Sequence, residues 1–336
     1  NLSQSTNDVY PTALRIALMR SVRSLHDSCE ELLSALQKKE KDFAGILKIG
    51  RTELQDAMPL SLGQEFGAWA EAVSRFRWRL SKAGEWIREV NISGTAVGTG
   101  INADRLYAAA VVPLLREITG EPLALSRNLV DATQNIDQIV ELSGLVRTGA
   151  VSIKKICSDL RLLSSGPRSA IGELRLPKMQ AGSSIMPGKV NPVICEAVEQ
   201  VCLRVMSGDA VVGSAASESN LELPQFMPLV ADSILENNEL LASAMRSLAQ
   251  HVAGIEPDLD MIRKHLDASS AVATLLSPLI GYEAASQIVK ESAATGRGIR
   301  ELIVEKKILA PDELERILTP EIFASAGIIR FDRRDT

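Results

Sequence analysis

Aromatic side chains are scarce in this chain, 4% of 336 residues, whereas 46% of the residues are apolar. A core of the size this length allows must be made mainly of Ala, Leu, Ile and Val, which favours helix packed on helix. Basic blocks are missing as well. The net charge of −5 is spread along the sequence, which argues against a nucleic-acid surface and against a polybasic membrane anchor. No apolar run reaches the roughly 18 residues that a bilayer span needs, and no signal-peptide pattern opens the sequence. A soluble protein with no nucleic-acid or membrane partner is expected. Cys29, Cys157, Cys195 and Cys202 lack paired CxxC spacing, and three of them fall in apolar helical patterns where a thiol packs as a small hydrophobe. A reducing, cytoplasmic setting fits that usage. His26, His251 and His265 lie far apart without ligand spacing, so they read as solvent-facing or capping residues, and no metal site is expected.

Strand signals are nearly absent, and what is present is helical periodicity. Residues 11–38 place Leu14, Leu18, Val22, Leu25, Cys29, Leu32 and Leu36 at spacings of four and three, with charged residues between them. This predicts an amphipathic helix of about seven turns. Similar patterns predict helices over 62–90, 103–118, 127–163, 192–214 and 228–252, with a break at Leu223-Pro224. Helices of this length imply an all-α fold with an elongated central bundle over residues 1–255. From Ile255-Glu256-Pro257 onward the repeats shorten, with breaks expected at Ser277-Pro278, Gly296-Arg297-Gly298 and Pro311, so residues 256–336 read as a small helical C-terminal domain. The polar joints near 49–59, 93–102, 164–191 and 217–224 are where chemistry is expected, since a loop held by rigid helices carries polar groups that a bundle core does not. The dense polar cluster at Asn1 to Asp8 has no preceding element to support it, and the chain reads as lacking an N-terminal portion.

The densest chemistry lies at residues 182–192, GSSIMPGKVNP, where two hydroxyls, an ammonium, an amide and two glycines fall within eleven residues. Ser183 or Ser184 can remove a proton only as an alkoxide, so the surroundings must stabilise an oxyanion. Backbone N–H groups of a glycine-rich loop and Lys189 can do that. Gly182 and Gly188 let such a loop close over a ligand and exclude water. Lys189 and Asn191 can also hold a carboxylate that becomes an aci-carboxylate dianion once its neighbouring carbon loses a proton. Pro192 suits the first turn of the next helix, whose free N–H groups favour anions. The plainer reading of this run is an ordinary Ser/Gly-rich loop before a helix. So many site-type groups in one stretch favour the chemical reading.

GSSIMPGKVNP closely resembles the signature of the aspartase/fumarase superfamily, homotetrameric lyases that eliminate across a succinyl C–C bond and release fumarate. NLSQSTNDVYPTA at 1–13 and GRTELQDAMPLSLGQEF at 50–66 resemble two further motifs of that family. GTAVGTGIN at 94–102, LLSSGPRSAIG at 162–172 and the stretch 277–283 extend the likeness over essentially the whole chain. The resemblance implies the helical-bundle fold with a small C-terminal domain, a small dicarboxylate substrate and no redox cofactor; divalent-cation activation stays open. It implies that Ser183 is the general base, that Lys189 and Asn191 bind the carboxylate that turns into the aci-form, and that Ser5, Thr6 and Asn7, with Ser184, hold the other carboxylate and the leaving group. Thr52 would contact a carboxylate. In this family the motifs converge from different subunits, so a homotetramer with shared active sites is implied.

For Ser5 to Asn7 the plainer alternative is an N-cap box before a helix starting at Pro11. At Glu53 the resemblance expects His, as in fumarases, or Gln or His, as in aspartases. It places this residue near the leaving group and near Glu196, and two close carboxylates do not both ionise cheaply without a cation between them. A substrate ammonium supplies one, which favours ammonia over water as the leaving group; SQSTND is also the more aspartase-like form of the first motif. The alternative for Glu53 is a helix-flanking surface acid. An ammonia-lyase acting on aspartate is therefore the leading expectation, with fumarate hydratase second and a non-catalytic scaffold third. Relatives acting on argininosuccinate, adenylosuccinate or carboxylated muconates rank lower, because their second motifs diverge more. The family carries a further Thr/Ser-rich substrate loop upstream, so residues 1–336 alone are expected to release little ammonia.

Overall fold

The computed structural model describes residues 2–180, 185–186 and 188–319. Helix α1 (Thr6–Asp42) leads to strands β1 (Leu47–Thr52) and β2 (Gln55–Ser61), then to α2 (Leu62–Ile87), β3 (Glu89–Val90), α3 (Arg105–Thr119), β4 (Ala124–Leu125), α4 (Leu129–Gln134) and α5 (Asp137–Leu163). There follow β5 (Leu174–Arg175), α6 (Val193–Ser217), α7 (Met227–Ala253), β6 (Glu256–Pro257), α8 (Leu259–Ala268), α9 (Ala271–Ile280), α10 (Tyr282–Thr295), α11 (Ile299–Glu305) and α12 (Pro311–Ile317). The fold is an all-α helical bundle whose described strands form only two-stranded pairs, β1–β2, β3–β4 and β5–β6. No described helix is long and apolar enough to cross a membrane. The chain forms two compact units, each from three stretches: Asn1–Ser34, Glu71–Asp159 and Met179–Gln250 in the first, and Ala35–Ala70, Leu160–Lys178 and His251–Thr336 in the second.

In the first unit the helical stripes bury what their periodicity predicts. Leu18, Leu25, Cys29 and Leu32 of α1, Phe76 and Leu80 of α2, Leu142, Val146 and Ile153 of α5, Cys202, Val205 and Val212 of α6, and Ile234, Leu241 and Met245 of α7 are all shielded from solvent. Small residues set how closely the helices approach. A Cβ added at Gly149 of α5 would lie 2.3 Å from the Phe76 ring, and one at Gly208 of α6 would lie 2.4 Å from the Asn237 amide. Polar pins cross the same interfaces: Ser143 donates to Asp209 at 2.7 Å and Asn238 to Ser21 at 2.9 Å. All four cysteines are buried and none is in a disulfide. Burial pushes the Cys29 and Cys202 thiols up to about 12, and a hydrogen bond with Cys195, reinforced by burial, raises Cys157. They pack as small hydrophobes, as expected.

Helix α1 starts at Thr6, five residues before the expected start at Pro11. Pro11 has no N–H to give the Asn7 carbonyl one turn back, and the side-chain amide of Asn91 donates to that carbonyl instead, at 2.9 Å. The single helix expected over 127–163 is two helices, because Asn135 is extended (φ −108°, ψ 136°) and caps α4.

In the second unit the polar joint expected near 49–59 is a β-hairpin. Its strands pair Leu47 with Ser61, Lys48 with Leu60 and Thr52 with Gln55. Ser61 then starts α2 through a reciprocal box, its Oγ accepting from the Gln64 N–H at 3.0 Å and its own N–H donating to Gln64 Oε1 at 2.9 Å. Leu47 and Ile49 of the hairpin share one core with Leu266, Val272, Leu276, Ile288, Leu302 and Leu314 of the C-terminal helices. Short helices do follow residue 255, and their ends match the breaks at Gly296 (φ 70°) and Pro311. Ser277-Pro278 is not a break: Pro278 lies inside α9, which ends at Gly281 (φ 84°). Two histidines also differ from the expectation, since His251 is buried, 3% exposed, and His265 pairs with Glu173.

Candidate active site

The first motif forms the start of α1, in the first unit. Ser5 stands just before the helix; its Oγ accepts from the Asn7 N–H at 3.2 Å, while its own N–H donates to Asp8 Oδ1 at 2.9 Å. The Ser5 hydroxyl is an N-cap on the second helical N–H, and Asp8 supplies the return bond of a capping box in the role usually taken by Glu. Asp8 is fully buried, and its second oxygen accepts from the Thr95 N–H at 3.0 Å. The Asn7 amide donates to the Ala96 carbonyl at 2.7 Å. The loop at 93–102 thus grips the helix start, and it depends on residues with left-handed φ: Ser93, Thr95, Gly98, Gly100 and Asn102. At Gly98 a Cβ would lie 2.4 Å from the Leu129 carbonyl oxygen, so only glycine fits there. Of the two alternatives weighed for this motif, the cap is visible in part. Ser5 caps a helix, at Thr6 rather than Pro11, whereas the Thr6 side chain is exposed and makes no hydrogen bond among the described residues. Asp8, Asn91 and Thr95 were not singled out from the sequence; the spacing from Ser5 to Asp8 is the signal that pointed to Asp8.

Thr52 and Glu53 of the second motif lie at the hairpin tip, in the second unit, and both are exposed. Glu53 and Leu54 form a two-residue turn with φ values of 52° and 63°, the backbone sense of a type I′ connection. Glu53 is therefore a turn residue and not a helix-flanking acid. Behind the tip lies a buried charge cluster. Arg51 Nη2 donates to Glu173 Oε1 at 2.7 Å, His265 Nδ1 is 2.9 Å from the same oxygen, and Lys48 Nζ is 3.2 Å from Glu173 Oε2. Burial acts to raise the Glu173 carboxyl, but the hydrogen bond from Arg51, the charge of Lys48 and the contact with His265 outweigh it and hold the group below its ordinary value. No sequence signal marked this cluster, because Glu173 lies 92 residues from His265 and 122 from Arg51.

Ser183 and Ser184 lie outside the described residues. Lys189 is exposed, with its backbone N–H on the Met186 carbonyl at 3.2 Å, and Gly188 has φ 85°. Asn191 is exposed and its carbonyl accepts from the Val193 N–H at 2.9 Å. Pro192 sits at the N-cap of α6, without a side-chain cap, so the first N–H groups of a 25-residue helix lie directly after the loop. Glu196 is half-buried in the first turn of that helix. Within the first unit no described hydrogen bond joins Ser5, Thr6 or Asn7 to Lys189 or Asn191. Among the described residues no group of three or more His, Cys, Asp or Glu side chains could hold a metal ion.

Residues 1–207 match the family described as Lyase, and residues 272–324 that described as Fumarase C C-terminus. The chain belongs to this family, the aspartase/fumarase superfamily of lyases. An aspartate ammonia-lyase from Helicobacter pylori is 43% identical over 96% of this chain and 69% of its own length. One from Pseudomonas aeruginosa is 45% identical over 98% of this chain and 70% of its own. Among solved structures, that titled fumarate lyase:delta crystallin from Brucella melitensis, bound to cobalt, superposes with a TM-score of 0.91 at 45% identity, covering 95% of this chain and 69% of that one. A class II fumarase from Schistosoma mansoni gives 0.86 at 31% identity, covering 97% and 72%.

Proposed function

We propose that this protein is a carbon–nitrogen lyase that reversibly eliminates ammonia from L-aspartate to give fumarate. The observation that carries the reading is the identity of 43–45% over nearly the whole chain to relatives named aspartate ammonia-lyase. In this reading Ser183, as an alkoxide, removes a proton from the β-carbon of aspartate. The electron pair moves into the adjacent carboxylate, giving an aci-carboxylate dianion that Lys189 and Asn191 hold. Collapse of the dianion forms the C=C bond and breaks the C–N bond, releasing fumarate and neutral ammonia, and loss of the Ser183 proton to solvent restores the alkoxide. Ser5, Thr6, Asn7 and Ser184 hold the other carboxylate and the leaving group, Thr52 contacts a carboxylate, and Glu196 with Glu53 receives the ammonium. The exposed side chains of Thr6, Thr52, Glu53, Lys189 and Asn191 support this assignment, since each is available to a ligand. No redox step is involved, so no redox cofactor is required; whether a divalent cation activates the enzyme is a separate measurement.

The working form in this reading is a cytoplasmic homotetramer with shared active sites. Support comes from the apolar surface of the first unit, where Val211, Phe226 and Leu229 are 38%, 45% and 48% exposed around a groove of about 430 Å³; clustered exposed apolar groups mark a surface that binds something else, and this reading assigns a second copy to it. The direct test incubates the full protein separately with aspartate and with malate while fumarate absorbance is followed. Fumarate from aspartate is expected. Fumarate from malate alone would make the protein a hydratase instead and overturn the Glu53 argument. Ser183→Ala should abolish turnover while sedimentation still shows a tetramer; retained turnover would remove Ser183 as the base.

A further inference from the structure

The buried charges behind the hairpin tip take no part in the chemistry above, yet they are arranged around it. Glu173 is fully shielded from solvent and stands directly before β5, where its backbone carbonyl accepts from the Asp258 N–H at 2.9 Å. As an ionised carboxylate it only accepts, and His265 Nδ1 faces the same oxygen as Arg51 at 2.9 Å. Lys48 closes the cluster by pairing also with Glu65 of α2 at 3.1 Å. Three elements, β1, α2 and α8, thus converge on a few buried side chains.

The geometry of β1 shows what this convergence costs the strand. In a regular strand side chains alternate, so Lys48 and Arg51, three residues apart, would face opposite sides. The pairing register shifts between Ile49 and Arg51, and such a bulge reverses the phase, which brings Lys48 and Arg51 to the same carboxylate. The intervening Gly50 permits it, because a Cβ there would lie 2.6 Å from the Met58 carbonyl oxygen. Arg51 is the residue before Thr52, and the turn that follows has two non-glycine residues at positive φ, a backbone state that disfavours itself. Among the described residues no hydrogen bond reaches the side chains of Thr52 or Glu53, so what holds the tip in place is the Thr52–Gln55 pairing and the strand beneath it.

We infer that Glu173 is a positioning residue: by gripping Lys48, Arg51 and His265 it fixes the end of β1, and so holds Thr52 and Glu53 where the substrate meets them. The inference rests on the reading of those two residues as substrate-binding. Its chemistry is long-range anchoring, in which a buried carboxylate with no contact to substrate sets the place of two groups that have one.

The test uses the full protein with Glu173→Gln, which keeps the side-chain shape and removes the charge, and with His265→Gln, which is milder because that side chain is 25% exposed. Two readouts are taken: hydrogen exchange of the backbone amides at 52–55, and kcat and KM for aspartate per folded protein. Glu173→Gln is expected to speed exchange at the tip while leaving α5 unchanged, and to lower kcat/KM by roughly 10- to 100-fold, the scale of a misplacement of about 1 Å, with KM rising. His265→Gln should move both readouts the same way by less, and it carries the test if Glu173→Gln does not fold. Unchanged exchange at 52–55 in the folded variants overturns the inference, as does faster exchange with kcat and KM unaltered, which is the pattern of a purely structural role. If the wild-type protein makes no fumarate from aspartate, the reading of function fails, and the exchange comparison alone decides whether Glu173 holds the turn.

Discussion

At the start of α1 and at the end of β1 the chain presents two sets of polar side chains in two different units, and they are fastened in different ways. Asp8 accepts from the Ser5 N–H and the Ser5 hydroxyl from the Asn7 N–H, and the neighbouring loop adds backbone bonds from Thr95 and to Ala96. Behind Thr52 and Glu53 the bonds run between side chains, from Arg51 to Glu173 over 122 positions and from His265 to Glu173 over 92. The first arrangement uses many neutral or half-charged bonds whose losses are graded. The second balances buried ions against one another, and removing one leaves the others uncompensated.

The strongest way to break this contrast is Glu173→Ala. It leaves Lys48 with Glu65 alone and takes away the carboxylate paired with Arg51, and is expected to cost about 3–5 kcal/mol of unfolding free energy in urea titration; a loss under about 1 kcal/mol would mean the cluster is not a buried ionic anchor. Asp8→Ala removes an acceptor from two backbone N–H groups and is expected to cost about 1.5–3 kcal/mol, with the helix start frayed in hydrogen exchange. Acid sharpens the contrast. Folded Glu173 titrates below its unfolded value, so as pH falls the unfolded chain takes up its proton first. Its contribution is fully present above the ordinary carboxylate range and is lost as pH drops through and below it. The slope of stability against pH in that window should be shallower in Glu173→Gln than in wild type, and an identical slope would contradict the shift. Ser5→Ala removes a cap and is expected to cost about 1 kcal/mol. Leu54→Gly relieves a left-handed residue but frees the unfolded chain, so a net change within about 0.5 kcal/mol is expected in the same titration.

The long helices were legible in sequence because each buries one stripe, and a stripe repeating every three or four residues survives any tertiary context. The signature run and the two N-terminal motifs were legible as well, because their chemistry is contiguous. The hairpin was not. Its strands carry Gly50, Asp56 and Pro59, residues that read as turn formers, and Leu47 and Ile49 reveal their role only once the C-terminal helices supply the rest of their core. The two-residue turn has no Asn-Gly or Asp-Gly pair to announce it. Glu173 and His265 looked like unrelated single residues for the same reason: nothing local relates them. Asn91 was equally silent, since its partner is a carbonyl that became available only through a proline inside a neighbouring helix.

The positive φ of Glu53 has a consequence for how this position can change. A backbone held at 52° admits Asn, Asp, Gly, His and, at some cost, other unbranched side chains, whereas Val, Ile and Thr are excluded by clash with their own main chain. The conformation of the turn therefore screens the side chains offered to selection at this position before any other property of theirs counts.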